Sequence, residues 1–110
     1  MGEKTGAVST DVGTKVLFEN DRIKVWEMRL APGEEGGLHE HVNDYAMIQI
    51  SGDRVAARFE PESGGPWGGL GVVEGDVANG TVIWAERGGI ERAVNIGDET
   101  FYEIIVELKD

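Results

Sequence analysis

Three observations in the sequence predict an all-β fold, a small barrel or sandwich. Seventeen glycines and three prolines cut the 110 residues into short segments. The segments between them are rich in β-branched and aromatic residues. No stretch of ten or more residues carries the capped 3.6-residue apolar stripe of a surface helix. About eight short strands, recurring every 8–12 residues or so, describe a sandwich or barrel in which each strand is covered on one or both faces.

The elements follow in order. Residues 1–15, MGEKTGAVSTDVGTK, form a polar lead-in without the apolar run of a signal peptide, so they are expected to be flexible. Gly2 follows Met1, but Gly6 stands where a myristoylation signal needs Ser or Thr. Val16–Glu19 is a first strand, closed by the turn Asn20-Asp21-Arg22. Ile23–Leu30 is a second, with Trp26 in its middle and Ala31-Pro32-Gly33 as its stop. Asp44–Ser51 and Arg54–Glu60 flank Gly52-Asp53, a strong hairpin signal. Pro61–Gly71 is a glycine-rich loop from which Trp67 can reach the mouth of the barrel. Leu70–Glu74, Thr81–Ala85, Ile90–Asn95 and Phe101–Leu108 complete the set, each bounded by glycine-containing turns. Trp26 and Trp84 are expected in the core, and Asp44 is expected to point into solvent. Residues 16–110 read as one domain, since nothing in them marks a linker, an internal repeat or a low-complexity tract.

Charge and composition exclude several functions. A net charge of −11 argues against nucleic acid, which requires a basic face, and against anionic membrane surfaces. No apolar run approaches the ~20 residues of a membrane-spanning helix. The absence of cysteine removes disulfides, thiolate metal sites and thiol nucleophiles, and suits a cytoplasmic protein. A single small core is modestly stable alone, so a homodimer is expected. There is no Walker loop and no Gly-x-Ser-x-Gly elbow.

The residues that carry chemistry centre on Gly37-Leu38-His39-Glu40-His41. These are the only two histidines of the chain, and they stand two apart. On an extended backbone residues i and i+2 point to one face, so two neutral imidazoles meet there. If the strand continues regularly, Tyr45, Met47 and Gln49 join the same face. Two solvated loop histidines are the alternative for an isolated pair of this kind.

The stretch LAPGEEGGLHEHVNDYAMIQISGD resembles the first motif of the cupin superfamily: a glycine, His-x-His, three or four residues, a glutamate, six residues, a glycine. Both histidines and Gly52 fall at the right spacing, while Tyr45 replaces the glutamate. GTVIWAERGGIERAVN is similar in outline to the second motif, with Gly80, Gly88 and Asn95 in place and Glu86 where that motif has proline. The tail NIGDETFYEIIVEL resembles the closing strand, so the likeness spans roughly Val16 to Leu108. It implies a double-stranded β-helix, or jelly-roll barrel. It also implies a metal site, in which Glu91 takes the position of the third metal-binding histidine; a one-residue gap puts Arg92 there instead.

The two alternatives imply different chemistry. His39, His41 and Glu91 would form a facial set of two imidazoles and one carboxylate, suited to Fe, Mn, Zn or Ni. Arg92 pointing inward would make a metal-free anion pocket. Alternation favours Glu91, since it shares a face with Ala93 and Asn95 while Arg92 and Val94 take the other. Tyr45 cannot ligate as a phenolate near neutral pH. It and Gln49 are therefore read as catalytic residues that orient a substrate or donate a proton to it. The leading expectation is a metal-dependent protein acting on a small oxygen-rich metabolite by oxygenase, isomerase, decarboxylase or lyase chemistry. A metal-free small-molecule-binding or sensing module and a structural protein working through dimer contacts are the other readings.

Overall fold

The computed structural model describes residues 8–67 and 69–109, and the described residues contain nine strands and no helix. They are β1 Lys15–Glu19, β2 Ile23–Leu30, β3 His39–Glu40, β4 Tyr45–Ser51, β5 Arg54–Phe59, β6 Val72–Asp76, β7 Val82–Ala85, β8 Ile90–Asn95 and β9 Phe101–Leu108. Accordingly, no helix among these residues is long and apolar enough to cross a membrane. The strands form a five-stranded sheet ordered β1-β2-β9-β4-β7 and a four-stranded sheet ordered β3-β8-β5-β6, with every strand pair antiparallel. The two sheets face each other, and the all-β jelly roll expected from the sequence is the fold observed.

Strict alternation builds the interior. Trp26, Met28 and Leu30 of β2 and Phe101 and Ile105 of β9 are buried, and Val12, Tyr45 and Ala85 complete the cluster. Trp26 adds a polar tether, because its indole N–H donates to Glu107 Oε1 at 2.7 Å. A buried side-chain hydrogen bond of this sort contributes about 0.5–1.5 kcal/mol. Asn95 ties the strand ends in a similar way: its amide donates to the carbonyls of Leu30 and Glu99, and its oxygen accepts from Gly97 N–H.

Several expectations are corrected. The lead-in is not free over its described part. Val12 is fully buried (0% exposed), Glu40 N–H donates to the Ser9 carbonyl, and Thr14 N–H donates to that of Glu27. Gly13 lies so close to Trp26 that a Cβ there would stand 2.7 Å from the Trp26 Cβ, so only glycine fits. Lys15 already belongs to β1, whereas residues 1–7 lie outside the described residues. The strand expected at Leu70–Glu74 runs from Val72 to Asp76, because Gly69 and Gly71 adopt positive φ (91° and 77°) and end the loop two residues later. Trp84 is 52% exposed, since its pairing with Ala46 puts both residues on the outer face. Asp44 is not merely solvated: it accepts from Arg87 N–H and Nε, which hold its carboxyl below the ordinary range.

Candidate metal centre

The site grows out of the register between β3 and β8. His39 sits directly opposite Glu91, and Phe59 of β5 faces Glu91 from the other side. His41, two residues on, is held by its backbone, which exchanges hydrogen bonds with Gly88 N–H and the Gly89 carbonyl. Gly89 lies beside the His41 and Phe59 rings, where a Cβ would make ordinary van der Waals contact with both at 3.8 Å. The two-residue period then aims both imidazoles and the carboxylate inward.

Three ligand atoms converge there, and all three residues are buried. His39 Nε2 lies 3.1 Å from His41 Nε2, and Glu91 Oε1 lies 3.3 Å from His41 Nε2 and 3.8 Å from His39 Nε2. For metal bonds of about 2.1 Å, donors stand roughly 3.0 Å apart at right angles and roughly 3.4 Å apart at the tetrahedral angle. The observed spacings are of that size. His39 is also correctly prepared: its Nδ1 can only donate to the Gly37 carbonyl at 2.9 Å, which leaves the Nε2 lone pair facing the site. Nδ1 of His41, by contrast, is buried without a partner.

Electrostatics favour a cation. Burial alone would raise the Glu91 carboxyl, but the facing imidazoles of His39 and His41 outweigh it and hold the group at about 2. Burial pushes His41 down, against the pull of Glu91, so its imidazole is neutral and no proton competes for its lone pair. At pH 7 the cluster thus contains an ionised carboxylate and a neutral His41, a donor set that fits a divalent transition metal.

The ligand atoms open onto a cavity of about 190 Å³ between the sheets. Its walls include Met28, Met47, Phe59, Trp67, Ile83 and Ile105, and among the described residues neither lysine nor arginine lines it. Trp67 enters from the loop, its ring 6.3 Å from that of Phe59, and packs partly buried against the core. Gln49 lines the cavity with its side-chain oxygen tied to Ala78 N–H at 3.2 Å.

Two sequence expectations change at this point. Arg92 points away from the cavity to Glu35, 3.5 Å distant, so the anion pocket is excluded and Glu91 is the inward residue. Tyr45 does not line the cavity. Its ring stacks on His41, with centroids 3.8 Å apart and planes 10° from parallel, and burial drives its phenol further above its ordinary value. It is placed to hold the imidazole rather than to meet a ligand.

One cavity residue escaped the sequence reading. Glu103 is 6% exposed, lines the cavity and has no hydrogen-bond partner among the described residues. Burial, reinforced by the negative charge of Glu91, raises its carboxyl to about 8. A signal was present: in Phe101–Leu108 the acidic residues Glu103 and Glu107 alternate in phase with Phe101 and Ile105, the core side of the strand.

No family model matches the sequence, and no curated protein matches it. Solved structures do. A cupin domain from Bordetella pertussis shares 24% identity at a TM-score of 0.72, covering 96% of this chain and all of that one. A cupin protein with a double-stranded β-helix fold from Methanocaldococcus jannaschii shares 16% at 0.65, covering 96% and 90%. A conserved protein with a double-stranded β-helix domain from Klebsiella pneumoniae shares 21% at 0.64, covering 86% and 73%. Identities this low speak for architecture alone, and the architecture is plain: the chain has the fold of the small cupin domains.

Proposed function

We propose that the protein binds one divalent transition metal through His39, His41 and Glu91, and uses it to hold and act on a small molecule in the cavity. The observation that carries this reading is the convergence of two imidazole nitrogens and one ionised carboxylate within 3.8 Å, all buried and all opening onto one cavity. A cation bound there supplies Lewis-acid polarisation of a ligand oxygen. The residues of the chain do the rest. The Gly37 carbonyl fixes the His39 tautomer, and Tyr45 fixes the plane of His41. Glu103, protonated near neutral pH, offers an O–H to a ligand acceptor across the cavity, and Gln49 stands beside it on the neighbouring strand.

The walls narrow the ligand class. A cavity without lysine or arginine gives a free carboxylate or phosphate no cationic partner beyond the metal itself. The ligand that fits is a compact, uncharged molecule with an apolar body and a chelating oxygen function, rather than the oxygen-rich metabolite expected from the sequence. About 190 Å³ accommodates a body the size of a single aromatic ring.

A second reading has one observation in its favour. Without metal, His41 Nε2–H can donate to Glu91 and His39, so the cluster satisfies itself apart from His41 Nδ1. A metal-free binding module would use the same cavity. Calorimetric titration of Mn²⁺, Fe²⁺ (anaerobic) or Zn²⁺ into chelator-treated protein separates the two. The metal reading predicts one site in the native chain and none in His39→Ala/His41→Ala, with the β-sheet circular dichroism unchanged. Equal uptake by the double variant would sink the assignment.

A further inference from the structure

Two polar side chains stand together in an otherwise apolar wall of the cavity. Glu103 of β9 and Gln49 of β4 are direct partners across the ladder, so their Cβ atoms lie about 5 Å apart on one face. Both are buried, and both line the cavity. Met28 flanks Glu103 from β2, while Met47, Phe101 and Ile105 lie two residues along the same strands. The hydrogen-bonding capacity of the pair is not used up within the chain. The Gln49 side-chain oxygen accepts from Ala78 N–H, which fixes the amide and leaves its NH2 without a partner among the described residues. Glu103 has no partner among them for either oxygen. Buried polar groups are almost always paired, and two left open in a cavity wall are placed to meet a ligand.

What stays open is chiefly donor capacity. Gln49 presents an N–H. Glu103, raised to about 8 by burial and the charge of Glu91, keeps its proton near neutral pH and presents an O–H. Two neutral donors side by side match an oxygen that carries two lone pairs and no hydrogen of its own. A carboxylate or phosphate has such oxygens too, but its charge would lie against an apolar wall in the same cavity as Glu91. We propose that Gln49 and Glu103 form a two-donor pocket for a carbonyl oxygen, so that the ligand is an uncharged carbonyl compound held by that oxygen at the five-stranded sheet, with a second oxygen left for the metal centre. The second oxygen rests on the metal reading above, whereas the pocket belongs to the chain with or without metal. A site built this way rejects an analogue that lacks the carbonyl, because both donors are then left unpaired.

Acetophenone, a ring-sized ketone, tests the proposal against ethylbenzene, in which methylene replaces the carbonyl. Both are titrated into the full chain, as purified and after chelator treatment. In chelator-treated native protein the carbonyl infrared band of bound acetophenone is expected well below its position in hexane, as two hydrogen bonds require. Gln49→Leu and Glu103→Leu are each expected to move the band back towards the hexane position. Each should weaken acetophenone about three- to tenfold without weakening ethylbenzene. Glu103→Gln keeps a neutral donor and is expected to bind acetophenone within about threefold of the native chain. Should a leucine variant lose its cooperative melt, the band position in the native chain decides alone. A chain that takes up no metal yet shows the lowered band contradicts the metal centre and supports the pocket. No bound acetophenone, a band at the hexane position, or equal losses for both probes overturns the proposal. So does a lowered band that appears only with metal and vanishes in His39→Ala/His41→Ala, since the carbonyl then sits on the metal.

Discussion

His39 and Glu91 face each other across a single β-ladder, and that pairing explains why one residue of the site is easy to read and another is not. The histidines are legible because a two-residue spacing on an extended chain leaves only one geometric outcome. Glu91 was legible only against Arg92, and alternation with Ala93 and Asn95 resolved them correctly. Glu103 was missed because an acidic residue in a strand is ordinarily read as solvated, and only its phase with Phe101 and Ile105 shows otherwise. Its burial makes a distinct prediction. A carboxyl raised from its ordinary 4.5 to about 8 binds more protons folded than unfolded between those values. Stability therefore falls as pH rises through that window, by up to ~1.4 kcal/mol per pH unit. Glu103→Gln is expected to remove this slope in metal-free protein. Denaturant melts of both chains from mildly acidic to mildly alkaline pH check it, and parallel profiles would contradict it. For Tyr45, Tyr45→Phe keeps the ring on His41 and is expected to leave metal affinity within about threefold. Tyr45→Ala removes the support and opens a core cavity that costs about 3–5 kcal/mol in stability. Metal titration and melting of the two variants separate a packing role from a hydroxyl role.

At the level of elements, glycine and turn signals located most strand ends to within a residue, because positive φ is a local property of the chain. Gly52, at φ 120°, turns β4 into β5 as the Gly-Asp pair implied. Gly88, at φ 115°, shows what local signals do not reveal: its Cβ would stand 2.9 Å from Gly65 N in a loop distant in sequence. Gly88→Ala is thus expected to cost about 1–3 kcal/mol and to loosen the His41 backbone, which accepts from Gly88 N–H. A melt and a metal titration on this variant would show both effects together. The buried lead-in was illegible for the opposite reason. Val12 is a single apolar residue among polar neighbours, and only the tertiary approach of Trp26 and the cavity gives it a place. Val12→Ala is expected to destabilise by about 1–3 kcal/mol, whereas an unchanged melting midpoint would mean that this segment does not hold to the barrel.

For the whole molecule, the barrel was legible from punctuation and alternation, while the division of labour between its two sheets was not. The four-stranded sheet supplies His39 and Glu91. The five-stranded sheet supplies Gln49 and Glu103 on its inner face. Only the long-range registers reveal that second pair, since its members come from strands far apart in the sequence. Metal held between the sheets would also stabilise the fold by mass action, so chelator should lower the melting midpoint of the native chain but not that of His39→Ala/His41→Ala. The most direct measurement is metal content by elemental mass spectrometry, on tag-free protein purified without chelator or nickel resin. Near-stoichiometric Fe, Mn, Zn or Ni in the native chain, absent from the double-histidine variant, is the predicted result. A native chain that stays metal-free after anaerobic reconstitution would contradict the metal centre and leave the cavity as a metal-free binding site.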